Sequence, residues 1–203
     1  MLKKILSIYI FLITNLSAYH SLEMNMNNEE LESSLNLDLA QFVDRFPVNR
    51  YFIGLNYLYV ENIKNEYYTE YMASLNLMMR NRLPNIRSLT FGLGAKFLSS
   101  KSSKVGELKD QTISAIPLGI YINFQLPIDS LPISLSTNIY YSPKPLTFTD
   151  GDTYFEQRYE LSFEVVDKGQ VFIGYRDIES ILQKTLEHFS ITKIAYVGMR
   201  FGF

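Results

Sequence analysis

The stretch that decides the fold is "YFEQRYELSFEV", Tyr154 to Val165. Phe155, Gln157, Tyr159, Leu161, Phe163 and Val165 fall on one face of an extended chain. Glu156, Arg158, Glu160, Ser162 and Glu164 fall on the other. Alternation with a period of two is the mark of a strand whose faces meet different surroundings. Here one face is greasy and the other carries four charged side chains.

The same period recurs elsewhere. In "IPLGIYINFQL" (116–126), Ile116, Leu118, Ile120, Ile122, Phe124 and Leu126 oppose Pro117, Gly119, Tyr121, Asn123 and Gln125. In "SLTFGLGAKFL" (88–98), Leu89, Phe91, Leu93, Ala95 and Phe97 oppose Thr90, Gly92, Gly94 and Lys96. A soluble sandwich also alternates, but its polar faces meet water and carry many Lys, Glu and Thr. The polar faces here are rich in Gly, Ser, Asn and Tyr, which suits a crowded bore. The expectation is an all-β chain forming a closed antiparallel transmembrane β-barrel.

Ten such runs appear, at about 21–27, 31–39, 51–61, 66–79, 87–99, 112–126, 131–142, 153–166, 170–178 and 191–203. From the fifth run onward, long connections (99–110, 142–152, 178–190) alternate with short ones (127–130, 167–169), the asymmetry of an outer-membrane barrel. In the first half it weakens, with a short 62–65 and a long 40–49. Ten strands are expected. Eight remain possible if the first two runs form a separate segment. "LQKTLEHF" (182–189) is open to a turn or two of helix.

Lys3 and Lys4 precede an apolar run, Ile5 to Leu16, and then Ser17 and Ala18. That is the layout of a secretory signal peptide, residues 1–18, cut after Ala18. The apolar run is well short of the roughly 20 residues a spanning helix needs. Residues 19–203 then form a single domain. With no cysteine, an exported chain has no disulfide staple.

The last eight residues are "YVGMRFGF". Phe203, Phe201, Met199, Val197 and Ala195 share the lipid face, and Gly202, Arg200, Gly198 and Tyr196 face inward. This resembles the C-terminal assembly signal of Gram-negative outer-membrane proteins, with Tyr196, Gly198, Phe201 and Phe203 at its positions. The whole mature chain resembles the YfaZ family of outer-membrane proteins, through "LEMNMNNEELE" (22–32), "YFIGLNYLYVEN" (51–62) and the closing octet. The resemblance implies location in the bacterial outer membrane and insertion by the outer-membrane assembly machinery. It also implies partners among the bilayer lipids and lipopolysaccharide. It implies little about activity and nothing about oligomeric state.

Tyr57, Tyr59, Tyr67, Tyr141 and Tyr154 gather near the outer strand ends, where an aromatic girdle is expected. The expected lumen charges are Glu70, Lys96, Glu156, Arg158, Glu160, Glu164, Arg176 and Arg200. In a ten-stranded barrel, side chains fill most of the bore, and buried charges pair or stay hydrated. The expected function is therefore a small barrel with a narrow, largely side-chain-filled polar lumen, structural or binding through its surface. The alternatives are a narrow polar channel and a membrane-embedded lipid-modifying enzyme. A wide porin takes about 16–18 strands.

A net charge of −2 gives no footprint for nucleic acid. Catalysis needs a base beside a nucleophile. His188, beside Glu187 and near Ser190, is the one candidate base in the last loop, and His20 falls next to the cut site, where disorder is expected. Met24 and Met26 read as lipid-facing bulk, and "DGD" (150–152) as a turn rather than a calcium site. No zinc spacing occurs, and neither catalytic residues nor a cofactor are expected.

Overall fold

The computed structural model describes residues 20–39, 49–61, 67–86, 88–104, 110–128, 132–183 and 188–203, and no side chain of Asn49, Tyr67, Tyr68 or Lys104. The expected signal peptide, residues 1–18, and the loops at 40–48 and 62–66 lie outside the described residues, as do Glu187 and the side chain of Tyr67.

Among the described residues, twelve strands run β1 Ser21–Met26, β2 Glu30–Asp38, β3 Asn49–Val60, β4 Tyr67–Arg82, β5 Leu89–Lys104, β6 Gln111–Ala115, β7 Leu118–Gln125, β8 Ile133–Ser142, β9 Thr147–Thr149, β10 Gly151–Val166, β11 Gly169–Leu182 and β12 His188–Gly202. All pairings are antiparallel. β1 pairs with β12, from Ser21↔Gly202 to Met26↔Val197, so the sheet has no free first or last strand. The wall is a closed barrel of ten strands.

Ten and twelve are reconciled by two interruptions. β6 and β7 form one wall strand broken at Ile116 and Pro117, and both pair with β5. β8 and β9 form the next, broken by a short 3-10 turn at Lys144–Leu146, and they pair with β7 and β6 in turn. Pro117 has no amide hydrogen to give the ladder. The break stays bonded through other groups: Lys96 N–H donates to the Pro117 carbonyl at 3.0 Å, and Ile116 N–H to the Leu146 carbonyl at 2.8 Å. The uninterrupted run expected over 112–126 is thus two strands.

Both ends of the described chain meet at one end of the barrel. Phe203 N–H donates to the His20 carbonyl at 3.0 Å, and the His20 ring lies 5.6 Å from the Phe203 ring. His20 is buried and its Nδ1 accepts the Asp38 amide. It is therefore an ordered part of the closure, not the disordered residue expected. The strands also run further than their sequence pattern. β5 continues to Lys104, and β11 and β12 consume most of the expected last loop, leaving no helix in the described parts of 182–189.

The exterior is apolar. Leu22, Leu55, Leu77, Leu93, Leu118, Leu135, Ile173, Val197 and Phe201 are all exposed. So much contiguous apolar surface is tolerable only against hydrocarbon, and ring closure satisfies the backbone there.

Candidate functional site

The interior inverts the usual soluble arrangement, and most of its charged side chains gather in two bonded clusters. Glu32, from β2, is the hub of the larger. Arg158 of β10 reaches Glu32 at 2.8 Å, and Arg176 of β11 also bonds it. Asn25 donates to the same carboxylate at 2.9 Å, and Asn56 bonds it too. Arg158 Nε donates to Glu156 at 2.6 Å, and Lys96 of β5 bonds Glu156 at 2.5 Å. Tyr154 O–H donates to Glu156 at 2.6 Å. On the far side of the hub, Arg176 bonds Glu30 at 2.6 Å, and the Thr192 hydroxyl donates to Glu30.

A second cluster lies nearer the termini. Arg200 bonds Glu23 at 2.7 Å and Glu160 at 2.8 Å, and Tyr196 O–H donates to Glu160 at 3.0 Å. Alternation alone places these residues: each sits on the inner face of its strand between outward apolar neighbours, as Glu23 does between Leu22 and Met24. Six of the eight expected lumen charges (Lys96, Glu156, Arg158, Glu160, Arg176 and Arg200) are brought together here.

The other two stand apart. Glu70 lies at a bulge in β4 and is about a third exposed at the loop-end rim, bonded to Lys101 at 3.0 Å and to Ser103. Lys101 also meets Asp110 at 2.9 Å, and the ammonium and the Ser103 hydroxyl hold the Asp110 carboxyl below the usual carboxylate range. Glu164 is exposed at the terminal end, just before the turn at Asp167 and Lys168. Sequence reasoning missed Glu23, Glu30 and Glu32, which the arginines meet besides the expected Glu156 and Glu160.

Above the ionic network, toward the long loops, apolar side chains pack in the bore among buried Ser100, Ser102, Ser142 and Ser180. Leu58, Val60, Met72, Leu98, Ile113, Ala115, Tyr154, Ile178, Leu182, Phe189 and Ile191 pack into one buried cluster. Tyr154 belongs to it. This corrects its expected place in the outer girdle: it shares the inward phase of Glu156 two residues on, and it is fully buried. Tyr57, Tyr59 and Tyr141 do stand exposed on the outer wall, where Tyr57 stacks on Tyr71 at 6.1 Å. A groove of 460 Å³, lined by Leu35, Leu55, Tyr57, Ala73 and Phe97 among others, opens on that outer wall, not in the bore.

In the closing strand, Tyr196 is buried against Gly174, and Gly198 receives the Phe172 ring. Phe201 and Phe203 face outward. His188 and Ser190 are exposed on β12, with Glu179 across from Ser190. Asp150, between β9 and β10, accepts the Thr112 amide of β6 at 3.1 Å. Among the described residues no cluster of His, Cys, Asp and Glu is placed to hold a metal ion.

No family model and no curated protein matches the chain. Two solved structures are similar in outline. One comes from work on the in-meso crystallisation of membrane proteins: 13% identity, 91% of this chain and 83% of that one covered, TM-score 0.43. The other is the translocator domain of the autotransporter NalP from Neisseria meningitidis: 10% identity, 99% and 94% covered, TM-score 0.35.

Proposed function

We propose that this chain is a small outer-membrane barrel that does not conduct. Its role is structural, or lies in what its loop-end rim binds. The observation that carries this reading is the layered filling of the bore. A pathway for ions or small solutes needs continuous polar, hydrated space along the axis. Here a solute passing the ionic network would meet the packed cluster around Leu58, Met72, Leu98 and Ile178, all with no exposed surface. Buried charges bonded to opposite charges are also held too tightly to serve as a moving selectivity ring.

In this reading the loop end faces the cell exterior and the termini, which an even strand number puts on one side, face the periplasm with the short turns. The YfaZ-like sequence patterns, the signal-peptide layout and the closing octet fit the same assignment. Bilayer lipids, lipopolysaccharide and the assembly machinery are the partners it implies. Conductance of the purified chain in a planar bilayer tests the proposal. Silent insertion, verified by recovery of folded protein from the membrane, is expected. Steady unitary currents that scale with salt would overturn it.

A further inference from the structure

The groove on the outer wall follows from one row of the sheet. Ser33, Tyr57, Ala73 and Ser99 lie across from one another on β2 to β5, and three of the four are small. The next row toward the termini, Leu35, Leu55, Leu75 and Phe97, is bulky throughout. Toward the loops the next row holds Tyr59, Tyr71 and Lys101. Small side chains between two larger rows leave a trough of 460 Å³. Tyr57 stands in the small row but stacks on Tyr71 at 6.1 Å, so the pair walls the trough on the loop side. From Leu22 in β1 to Phe97 in β5 the trough crosses five strands. At the usual strand spacing that is up to about 19 Å.

The same rows set its depth. On the termini side the outward residues stay apolar, as at Leu77 and Leu93. On the loop side two tyrosines and a lysine take over, and tyrosines at such a change mark the lipid–water boundary. The trough therefore lies just inside the hydrocarbon of the leaflet on the loop side. Barrel strands tilt by roughly 35–45°, so a trough running across them is inclined, and a chain can descend along it. Its occupant follows from the wall it interrupts, because the trough is continuous with the apolar face that meets the bilayer. Lipid tails are as apolar as leucine, so packing decides what stays in contact with a membrane wall. A chain in the trough touches protein on three sides rather than one, and an empty trough forfeits those dispersion contacts. Lys101 is already matched by Glu70 and Asp110, so recognition falls on the chain rather than on a charged headgroup.

We propose that this trough is a fixed binding site for one acyl chain of a lipid in the loop-side leaflet, held longer than the lipid that exchanges around the rest of the wall. The site rests on the outer wall being the membrane face and is independent of whether the bore conducts.

The chain has no tryptophan, so a single one reports alone. Tyr57→Trp sets it in the trough, and Ile173→Trp sets it at an exposed position of β11. Each folded variant, in detergent micelles, is titrated with phosphatidylcholine that carries a dibrominated acyl chain, whose bromines quench tryptophan on contact. Quenching of Tyr57→Trp should saturate at a lipid fraction several-fold below the one that quenches Ile173→Trp, which should simply follow the lipid's share of the micelle. Ala73→Phe, added to Tyr57→Trp, fills the trough and should make its quenching proportional as well. Should that variant fail to fold, Ser99→Phe fills the same space. Leu93→Phe, outside the trough, should leave the saturation unchanged. Proportional quenching at both reporters, or saturation that survives filling, would overturn the site. So would a native mass of paired barrels that filling returns to single ones, which would seat a second copy there. An unquenched Ile173→Trp would overturn the membrane face itself, and the site with it.

Discussion

Glu32 shows what one side chain decides in this interior. Its carboxylate is fully buried and meets Arg158, Arg176, Asn25 and Asn56 at once. Removing its charge would leave two buried guanidinia under-compensated, a loss of about 3–5 kcal/mol. Glu32→Gln should therefore lower the urea concentration at which the folded gel band disappears. Glu164→Gln, at an exposed site, should leave it unchanged within about 0.5 kcal/mol. The glycines facing the aromatic rings are as constrained. A Cβ on Gly198 would stand 2.3 Å from the Phe172 ring, and one on Gly174 would stand 2.5 Å from the Tyr196 ring. Gly198→Ala should cost about 1–3 kcal/mol by overpacking. Adding Phe172→Ala to it should restore part of the loss in a double-mutant cycle, and strict additivity would refute the contact. At this scale the sequence revealed the arginines and two of their partners, Glu156 and Glu160, but not Glu23, Glu30 or Glu32. Glu32 and Arg158 are 126 positions apart, and no local pattern links them.

Strand boundaries follow from how the alternation ends. The phase holds in β10 between the bulges at Asp152 and Val165 and in β12 from Thr192 onward, so Glu156, Arg158 and Arg200 were legible as inward. It slips at bulges at Glu70 in β4 and at Ile191 in β12. Beyond a slip, counting by two no longer tells inside from outside. That is why the apolar cluster near the loop end, and the strand extensions that carry it, could not be read in advance. The interruption at Pro117 was readable from proline's missing donor but was absorbed into a longer run. Turn chemistry offers a test at this scale. Lys168 closes the β10–β11 hairpin with φ 59°, a left-handed conformation that costs an L-residue about 1–2 kcal/mol. Lys168→Gly should raise the thermal midpoint of the gel-mobility transition, and a lower midpoint would contradict the turn. At the loop-end rim, the tie between Lys101 and Asp110 depends on pH. The folded state depresses the Asp110 carboxyl, so the tie stabilises above the ordinary carboxylate range and is lost as pH falls through the lowered value. Amide exchange over β5 and β6 near the rim should therefore quicken on acidification more than exchange over β1 and β12. Equal quickening at both places would sink that reading.

For the molecule as a whole, the apolar outer faces, the polar inner faces and the pairing of β1 with β12 are one fact seen three ways. A ribbon with these two faces, closed on itself, buries its charges with one another and leaves its hydrocarbon to the bilayer. The absence of cysteine allows a direct measurement of this arrangement, because single cysteines can be placed without background. Spin labels set one at a time along 155–163 of β10, in protein reconstituted into liposomes, report collision with oxygen, which concentrates in lipid. The account predicts accessibility that rises and falls with every residue, high at Phe155, Gln157, Tyr159, Leu161 and Phe163 and low at Glu156, Arg158, Glu160 and Ser162. A flat profile, or one in which both faces collide equally with a water-soluble relaxant, would contradict it.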